Sequence, residues 1–146
     1  MKKKIRQELD YSCGAFALLN CLQVLGFSAT EQNIRELCNT SPKGTDENGI
    51  IKCIEKYKLG YRIVYSINPE CFIGKLLYPA VVLTDNTEHW IACLKKYKRK
   101  FHIIDSLYQE VEKEIPKKEF LALAKNLERD TGKIYYYAIS LINPTN

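Results

Sequence analysis

The sequence predicts an α+β fold in which helices come first and a mostly antiparallel sheet follows. Up to about residue 57, apolar side chains recur at the three- and four-residue spacing of helices. Beyond Gly60 the apolar segments are rich in Ile, Val, Tyr and Phe, the residue types that favour strands. No repeat, low-complexity tract or linker interrupts the 146 residues, so we predict a single domain spanning residues 1–146.

The first predicted helix is apolar on nearly all of its faces. It should run from about Ser12 to Leu25 and end at Gly26, because glycine best tolerates the left-handed turn that closes a helix. Asn20 and Gln23 are its only long polar side chains. A helix without a polar face belongs in a core, so we expect this one to be buried.

Two further helices should follow before the sheet. Ser28 and Glu31 have the spacing of a capping box, in which each side chain satisfies a backbone N–H group of the other residue. The helix that they start should reach about Cys38. Asp46 is placed to cap a third helix, and we expect Gly60 to stop it, again because glycine suits a helix end.

Five strands are predicted after the third helix, at the ranges 61–66, 80–84, 89–95, 100–105 and 134–142. The third and fourth of them should form an antiparallel hairpin that turns through residues 97–99. Between the last two strands, five apolar residues from Phe120 to Leu127 have the spacing of an amphipathic helix. This helix should begin at Pro116, since proline favours the first helical position.

Cys13 has the most distinctive chemical setting in the chain, at the start of the first predicted helix. The unpaired N–H groups and the positive dipole end of a helix start stabilise a thiolate over a thiol, which lowers the pKa of a cysteine. Gly14 comes next and leaves no side chain to crowd a carbonyl group that approaches the sulfur. We therefore predict that Cys13 is a nucleophile, against the alternative of an ordinary buried thiol.

His89 and Asp105 open and close the predicted hairpin. If its turn is centred on Tyr97, the two residues lie directly opposite each other and project from one face, with Cβ atoms about 5 Å apart. The carboxylate could then hydrogen-bond one imidazole nitrogen and leave the other for a thiol. This interpretation depends on the assumed register, because a slip of one residue would break the pairing.

Gln7 and His102 complete the set of candidate catalytic residues. His102 alternates with its neighbours so that it points to the face opposite Asp105, and we predict a structural or exposed role for it. Gln7, six residues before Cys13, can donate its side-chain amide to an oxyanion together with the Cys13 N–H group. A thiol, a base, an orienting carboxylate and an oxyanion donor predict a cysteine peptidase that needs no cofactor.

Composition argues against several other classes of protein. No apolar run approaches the ~20 residues of a membrane span, so we expect a soluble domain without membrane insertion. The six cysteines lie far apart without a Cys-x-x-Cys pair, and only two histidines are present, so no metal site is predicted. The basic start of the chain is not followed by an apolar stretch, which indicates no signal peptide, a cytoplasmic location and free thiols.

The net charge of +5 comes largely from two basic runs, at residues 2–6 and 95–100. Such runs are typical of solvated termini and turns, so we expect no nucleic-acid partner. Binding of DNA or RNA through the second run remains an alternative, which steep salt dependence would reveal.

The candidate residues and their surroundings resemble the papain-like cysteine peptidases, and most of all the peptidase domains that process bacteriocin precursors after a double glycine, with their stand-alone relatives. The resemblance rests on Gln7-x-x-x-x-x-Cys13-Gly14 at a helix start and on three segments: "LLNCLQVLG", "IRELCNTSPKGTDENGIIKCIEKYKLGYRIV" and "HWIACL…FHIIDS". It implies a papain-like fold with N-terminal helices packed on the sheet. It also implies a peptide or protein substrate, and a transporter or another protein as partner.

The same resemblance implies a role for each candidate residue. Cys13 would be the nucleophile, His89 the general base and then the acid, Asp105 the orienting carboxylate and Gln7 the oxyanion donor. Members built into transporters typically have Asp before the catalytic Cys and Pro after the orienting Asp, where this chain has Ser12 and Ser106. These two differences argue against leader-peptide processing in particular, and not against a papain-like peptidase.

Two alternatives to a leader-processing peptidase stay open. Glu88-His89-Trp90 also resembles the Josephin deubiquitinases, which would imply cleavage of isopeptide bonds, although Asp105 stands where those enzymes have Asn. The other alternative is a peptide-binding module of the same fold that has lost turnover. The rate at which a thiol-reactive electrophile labels Cys13 would separate an enzyme from such a module.

Overall fold

The computed structural model describes residues 11–84, 89–106 and 111–144. In chain order the elements are α1 (Cys13–Val24), α2 (Glu31–Leu37), α3 (Glu47–Lys56), β1 (Gly60–Ser66), α4 (Pro69–Lys75), β2 (Ala80–Thr84), β3 (His89–Tyr97), β4 (Lys100–Ile104), β5 (Glu112–Pro116), α5 (Lys117–Leu123), β6 (Asn126–Leu127) and β7 (Ile134–Ile142). Three helices precede the first strand, as predicted.

The strands form an antiparallel sheet in the order β1-β7-β2-β3-β4-β5, and the short β6 pairs with β7. The last strand therefore lies inside the sheet, between β1 and β2. Every strand pairing within the described ranges is antiparallel. This confirms the predicted α+β class with a mostly antiparallel sheet.

Helices pack on both faces of this sheet. Helices α1, α2 and α3 share one apolar cluster with Val81 of β2 and Ala92 of β3. Helices α4 and α5 share a second cluster with the next residues of the same strands, Val82 and Cys93. Because neighbouring residues of a strand point to opposite faces, the sheet is a middle layer between two layers of helices. Helix α1 lies across β3 and is largely buried, as its composition predicted.

The ends of α1 agree with the prediction, but the start of α2 does not. Helix α1 spans Cys13–Val24, and Gly26 adopts a left-handed φ of 95°. Thr30, and not Ser28, caps α2 by accepting a hydrogen bond from the N–H group of Asn33. Two hydroxyl residues lie two positions apart here, and the second is the one that meets the first turn of the helix. The Glu31 side chain is buried and accepts a hydrogen bond from the Ser12 hydroxyl instead of starting the helix together with Ser28.

Helix α3 starts where predicted and ends earlier. Asp46 Oδ1 accepts a hydrogen bond of 2.8 Å from the N–H group of Gly49. The chain then turns at Lys58, whose φ is 59°, and Gly60 is already the first residue of β1. The expected stop at Gly60 is therefore wrong, because a lysine adopts the left-handed conformation that glycine accepts most easily.

The five predicted strands are present as β1, β2, β3, β4 and β7. Three elements were not predicted: α4, β5 and β6. Strand β5 lies at the edge of the sheet and buries only Ile115, so its sequence carries too little apolar pattern to identify it. Pro116 ends β5 and caps α5 instead of filling its first position. In the described part of the chain, no helix has the length and apolar character to cross a membrane.

Candidate active site

Cys13 is the first residue of α1, and the packing of α1 across β3 brings it to the start of that strand. The half-buried thiol lies against the imidazole of His89, the first residue of β3. The backbone N–H groups of Trp90 and Gly14 also lie near the sulfur and favour its thiolate form, which lowers the pKa of Cys13. The structure therefore brings together the thiol and the base that were predicted from positions 76 residues apart.

His89 is held from two sides. Thr84 of β2 pairs with it, and the Thr84 hydroxyl donates to the His89 carbonyl oxygen at 3.0 Å. The imidazole Nε2 lies 2.7 Å from Asp105 Oδ1, and both side chains are buried. Because Nε2 faces the carboxylate, Nδ1 is the ring nitrogen available to Cys13. Cys13, His89 and Asp105 thus form one line of contacts at the ends of α1, β3 and β4.

The register predicted for the hairpin is wrong, although the contact that it suggested is present. Tyr97 pairs with Lys100 within the ladder and is not the centre of the turn, and a bulge between Cys93 and Lys95 changes the register by one residue. Asp105 therefore follows the end of β4 without lying directly opposite His89. Its carboxylate reaches the imidazole diagonally, a separation that cross-strand side chains can span.

The thiol and the imidazole shift each other's pKa. Burial by itself raises the pKa of Cys13, but hydrogen bonds from His89, Trp90 and Gly14 and the imidazolium charge lower it by more, so the net pKa lies below that of an ordinary thiol. Burial also opposes the charged form of His89, yet Asp105 and Cys13 raise its pKa to about 9. These two shifts favour a thiolate beside an imidazolium at neutral pH.

Trp90 and Thr45 belong to this site, and the sequence interpretation did not include them. Trp90 Nε1 donates to the Thr45 carbonyl oxygen at 3.0 Å, which ties the α2–α3 loop to β3. A Cβ atom on Gly14 would lie 2.8 Å from Thr45 Cβ and 3.1 Å from Trp90 Cδ1. The missing side chain at position 14 therefore lets the loop pack beside the sulfur. The only tryptophan of the chain, next to His89, was an available clue; Thr45 offered none.

A cleft of about 690 Å³ opens beside Trp90. It lies between the α2–α3 loop, the start of α3 and the ends of β2 and β7, and its lining includes Ser41, Lys43, Thr45, Glu47, Leu83 and Tyr137. The Tyr137 hydroxyl donates to the Glu47 carboxylate across this cleft. Clefts of this volume hold small ligands or short peptide segments.

The remaining candidate residues lie apart from this line of contacts or outside the described ranges. His102 Nε2 lies 2.5 Å from Glu112 Oε2 of β5, in agreement with its predicted structural role. Gln7 lies outside the described residues. Within residues 11–84, 89–106 and 111–144, no group of three or more Cys, His, Asp or Glu side chains could hold a metal ion.

Ser12 and Ser106, the two departures from the transporter-borne pattern, are both buried. The Ser12 hydroxyl donates to Glu31 Oε2 at 2.8 Å, directly before the nucleophile candidate. Ser106 follows Asp105 at the end of β4. The serine at position 12 therefore has a defined buried partner, an acid on the neighbouring helix α2.

The Peptidase C39 family model matches residues 1–124 of the chain. The structure is similar to the peptidase domain of Streptococcus ComA, a bi-functional ABC transporter, with a TM-score of 0.72 and 20% identity over 98% of this chain and 99% of that one. It is also similar to a double glycine motif protease from an AMS/PCAT transporter in complex with the leader peptide, with a TM-score of 0.69 and 21% identity over 92% and 89% of the two chains.

A third similar structure is a putative C39-like peptidase from Bacillus anthracis, with a TM-score of 0.61 and 14% identity over 94% of this chain and 91% of that one. No curated protein sequence matches the chain.

The structural similarity confirms the predicted papain-like fold, in which N-terminal helices pack on a mostly antiparallel sheet. The family match extends from the first residue through α5 and covers well over half of the chain. Members of this family are cysteine peptidases, which agrees with the reactive thiol setting of Cys13. The chain belongs to the Peptidase C39 family and is a cysteine peptidase that acts on peptide substrates.

Proposed function

We propose that Cys13, His89 and Asp105 form the catalytic triad of this peptidase and that Gln7 donates to the oxyanion. The observation that carries the proposal is the position of the His89 imidazole, which lies against the Cys13 thiol and 2.7 Å from Asp105 Oδ1. A thiol nucleophile needs a base in contact with the sulfur and a third group that orients the base. The proposed role of Gln7 as oxyanion donor is supported by its place in the sequence, six residues before Cys13.

The reaction would start from the thiolate–imidazolium pair. Cys13 Sγ attacks the carbonyl carbon of the scissile bond, and the oxyanion that forms accepts hydrogen bonds from the Cys13 N–H group and the Gln7 amide. His89 then gives its proton to the leaving amine, the C–N bond breaks and a thioester remains. A water molecule that loses a proton to His89 hydrolyses the thioester and releases the thiolate. Asp105 stabilises the imidazolium and keeps its orientation.

The substrates that we propose are leader peptides or precursors cut after small residues. The AMS/PCAT neighbour is a double glycine motif protease, and its structure holds a leader peptide. In this chain Trp90 lines the cleft and follows His89 directly in β3, so a peptide lying in the cleft would be held close to the proposed triad.

A transporter or another protein that presents the precursor is the partner that we propose, because two of the similar structures are peptidase domains of transporters. We also propose that residues 1–146 work as one peptidase domain in the cytoplasm. Thiols stay reduced in that compartment, and a thiolate nucleophile requires this.

Replacing Cys13 tests the proposed function directly. The substrate is a synthetic precursor with a double-glycine leader, and mass spectrometry detects the product. Cys13→Ala should lower the rate by at least about 1,000-fold, since the covalent step is lost. Cys71→Ala removes an exposed thiol of α4, so it serves as the matched control and should cleave like the wild type. Cleavage by Cys13→Ala at the wild-type rate would contradict the proposed nucleophile.

A further inference from the structure

We propose that Glu31 is a positioning residue for the nucleophile: it holds the Ser12 hydroxyl away from the start of α1 and so keeps the Gly14 N–H group of that helix for the sulfur. This inference rests on the proposed role of Cys13. Glu31, the buried acid of α2, would then influence the reaction only through its contact with Ser12.

Helix α1 starts with a residue of the preferred capping type that does not cap it. Ser12 makes no side-chain cap hydrogen bond, and its ψ is 19°. Thr30, Asp46 and Asn68 precede α2, α3 and α4 with extended ψ angles of 158°, 172° and 120°. Each of these three side chains accepts a hydrogen bond from the third N–H group of its helix. The helix that carries the thiol therefore starts in a different way from these three.

The Ser12 hydroxyl is directed to a buried carboxylate instead. It donates to Glu31 Oε2 at 2.8 Å, and the exposed fraction is 0% for Ser12 and 6% for Glu31. Arg35, one turn further along α2, places Nη1 2.9 Å from the same oxygen and balances the charge. A buried carboxylate is costly unless hydrogen bonds and an opposite charge satisfy it, so this contact is one that the folded chain maintains.

A capping Ser12 would compete with the sulfur for donors. The oxygen of a cap residue accepts from the second or third N–H group of the helix, which here belongs to Gly14 or Ala15. The Gly14 N–H group is one of the groups that favour the thiolate form of Cys13 and so lower its pKa. Capping would also require Ser12 to adopt an extended ψ, which would move the adjacent Cys13. By accepting from the Ser12 hydroxyl, Glu31 prevents both changes.

Alkylation of Cys13 by iodoacetamide tests this inference without any peptide substrate. Peptide mass spectrometry follows the rate, with the exposed Cys71 of the same molecule as an internal reference. Glu31→Met removes the acceptor but fills the buried space, and we expect about tenfold slower alkylation near pH 6, where the rate follows the thiolate fraction. Glu31→Gln keeps an oxygen acceptor for Ser12, so its rate should stay within about twofold of the wild type.

Ser12→Ala distinguishes positioning from a purely structural contact. Glu31→Met and Ser12→Ala break the same hydrogen bond, so a structural contact alone predicts similar losses. Positioning predicts a rate within about twofold of the wild type for Ser12→Ala, because no hydroxyl remains to cap α1. It also predicts that adding Ser12→Ala to Glu31→Met restores most of the lost rate. Melting temperatures show which variants are folded under the assay conditions.

Two results would overturn the inference. One is a tenfold lower alkylation rate of Cys13 in folded Ser12→Ala. This result overturns the inference even if Glu31→Met does not fold. The other is an unchanged alkylation rate in folded Glu31→Met. Neither result bears on the proposed function, whose failure would appear as peptide cleavage by Cys13→Ala.

Discussion

His89 Nε2 lies 2.7 Å from Asp105 Oδ1, although strand pairing does not place the two residues opposite each other. Asp105 is fixed by the backbone beyond β4, where its N–H group donates to the Val111 carbonyl oxygen at 2.8 Å. His89 is fixed by β2 through Thr84. The base and its orienting carboxylate are therefore positioned by separate contacts, and each can be tested by itself.

Asp105→Asn should lower activity by about 100-fold, the order expected when general acid–base catalysis is impaired. Burial opposes the imidazolium of His89, and the hydrogen bond to Asp105 is the largest influence that raises its pKa. A neutral amide would remove most of that influence, so fewer molecules would carry the thiolate–imidazolium pair at neutral pH. Values of kcat/KM measured against pH should show the alkaline limb moving to lower pH. An unchanged limb would mean that Asp105 does not control the base.

The wild-type enzyme should have a bell-shaped dependence of kcat/KM on pH. The pKa of His89 is raised to about 9, so the imidazolium that protonates the leaving amine is present below that pH and is lost above it. The pKa of Cys13 is lowered, so the thiolate forms at a lower pH than an ordinary thiolate and the acid limb lies below the ordinary thiol range. Initial rates at low substrate concentration measure both limbs. A rate that rises throughout the alkaline range would contradict the pairing.

Gly14→Ala should reduce both stability and activity. Its Cβ atom would lie 2.8 Å from Thr45 Cβ, so the α2–α3 loop or the start of α1 must move. Overpacking of this kind costs about 1–3 kcal/mol, which corresponds to a fall of several degrees in Tm for a chain of this size. The control is Gly74→Ala in α4, where no atom of the described residues outside the backbone of that helix and the two chain neighbours lies within 4 Å of the added carbon. The melting temperature and the initial rate should both be lower for Gly14→Ala and close to the wild-type values for Gly74→Ala.

The positions of the chemical groups could be predicted from the sequence because they depend on local patterns. Cys13 at a helix start, His89 at a strand start and Asp105 at a strand end follow from apolar spacing and two-residue alternation. The hairpin register could not be predicted, because Tyr97 pairs with Lys100 and the turn lies at Lys98 and Arg99. The bulge between Cys93 and Lys95 then changes the register by one residue without a composition of its own.

Contacts between segments far apart in the sequence could not be predicted from local patterns either, because they depend on tertiary packing. Trp90 Nε1 and the Thr45 carbonyl oxygen belong to residues 45 positions apart, and only the packing of α1 on β3 brings them together. The choice between Ser28 and Thr30 as the cap of α2 likewise depended on where Glu31 found its partner, Ser12 of the preceding helix. Helix-cap propensity alone allows either hydroxyl residue as the cap of α2, and the tertiary contacts of the folded chain decide which one is used.

Gln7→Ala should lower kcat by about 100-fold or more if the side-chain amide donates to the oxyanion, since this hydrogen bond forms fully only in the transition state. KM should change little, because ground-state binding does not depend on that donor. Gln32→Ala, on the exposed side of α2, is the matched control and should leave both constants unchanged. Gln7→Glu has nearly the same shape but no N–H donor, so it should be as slow as Gln7→Ala. Full activity in Gln7→Glu would show that backbone N–H groups at the start of α1 are enough to bind the oxyanion.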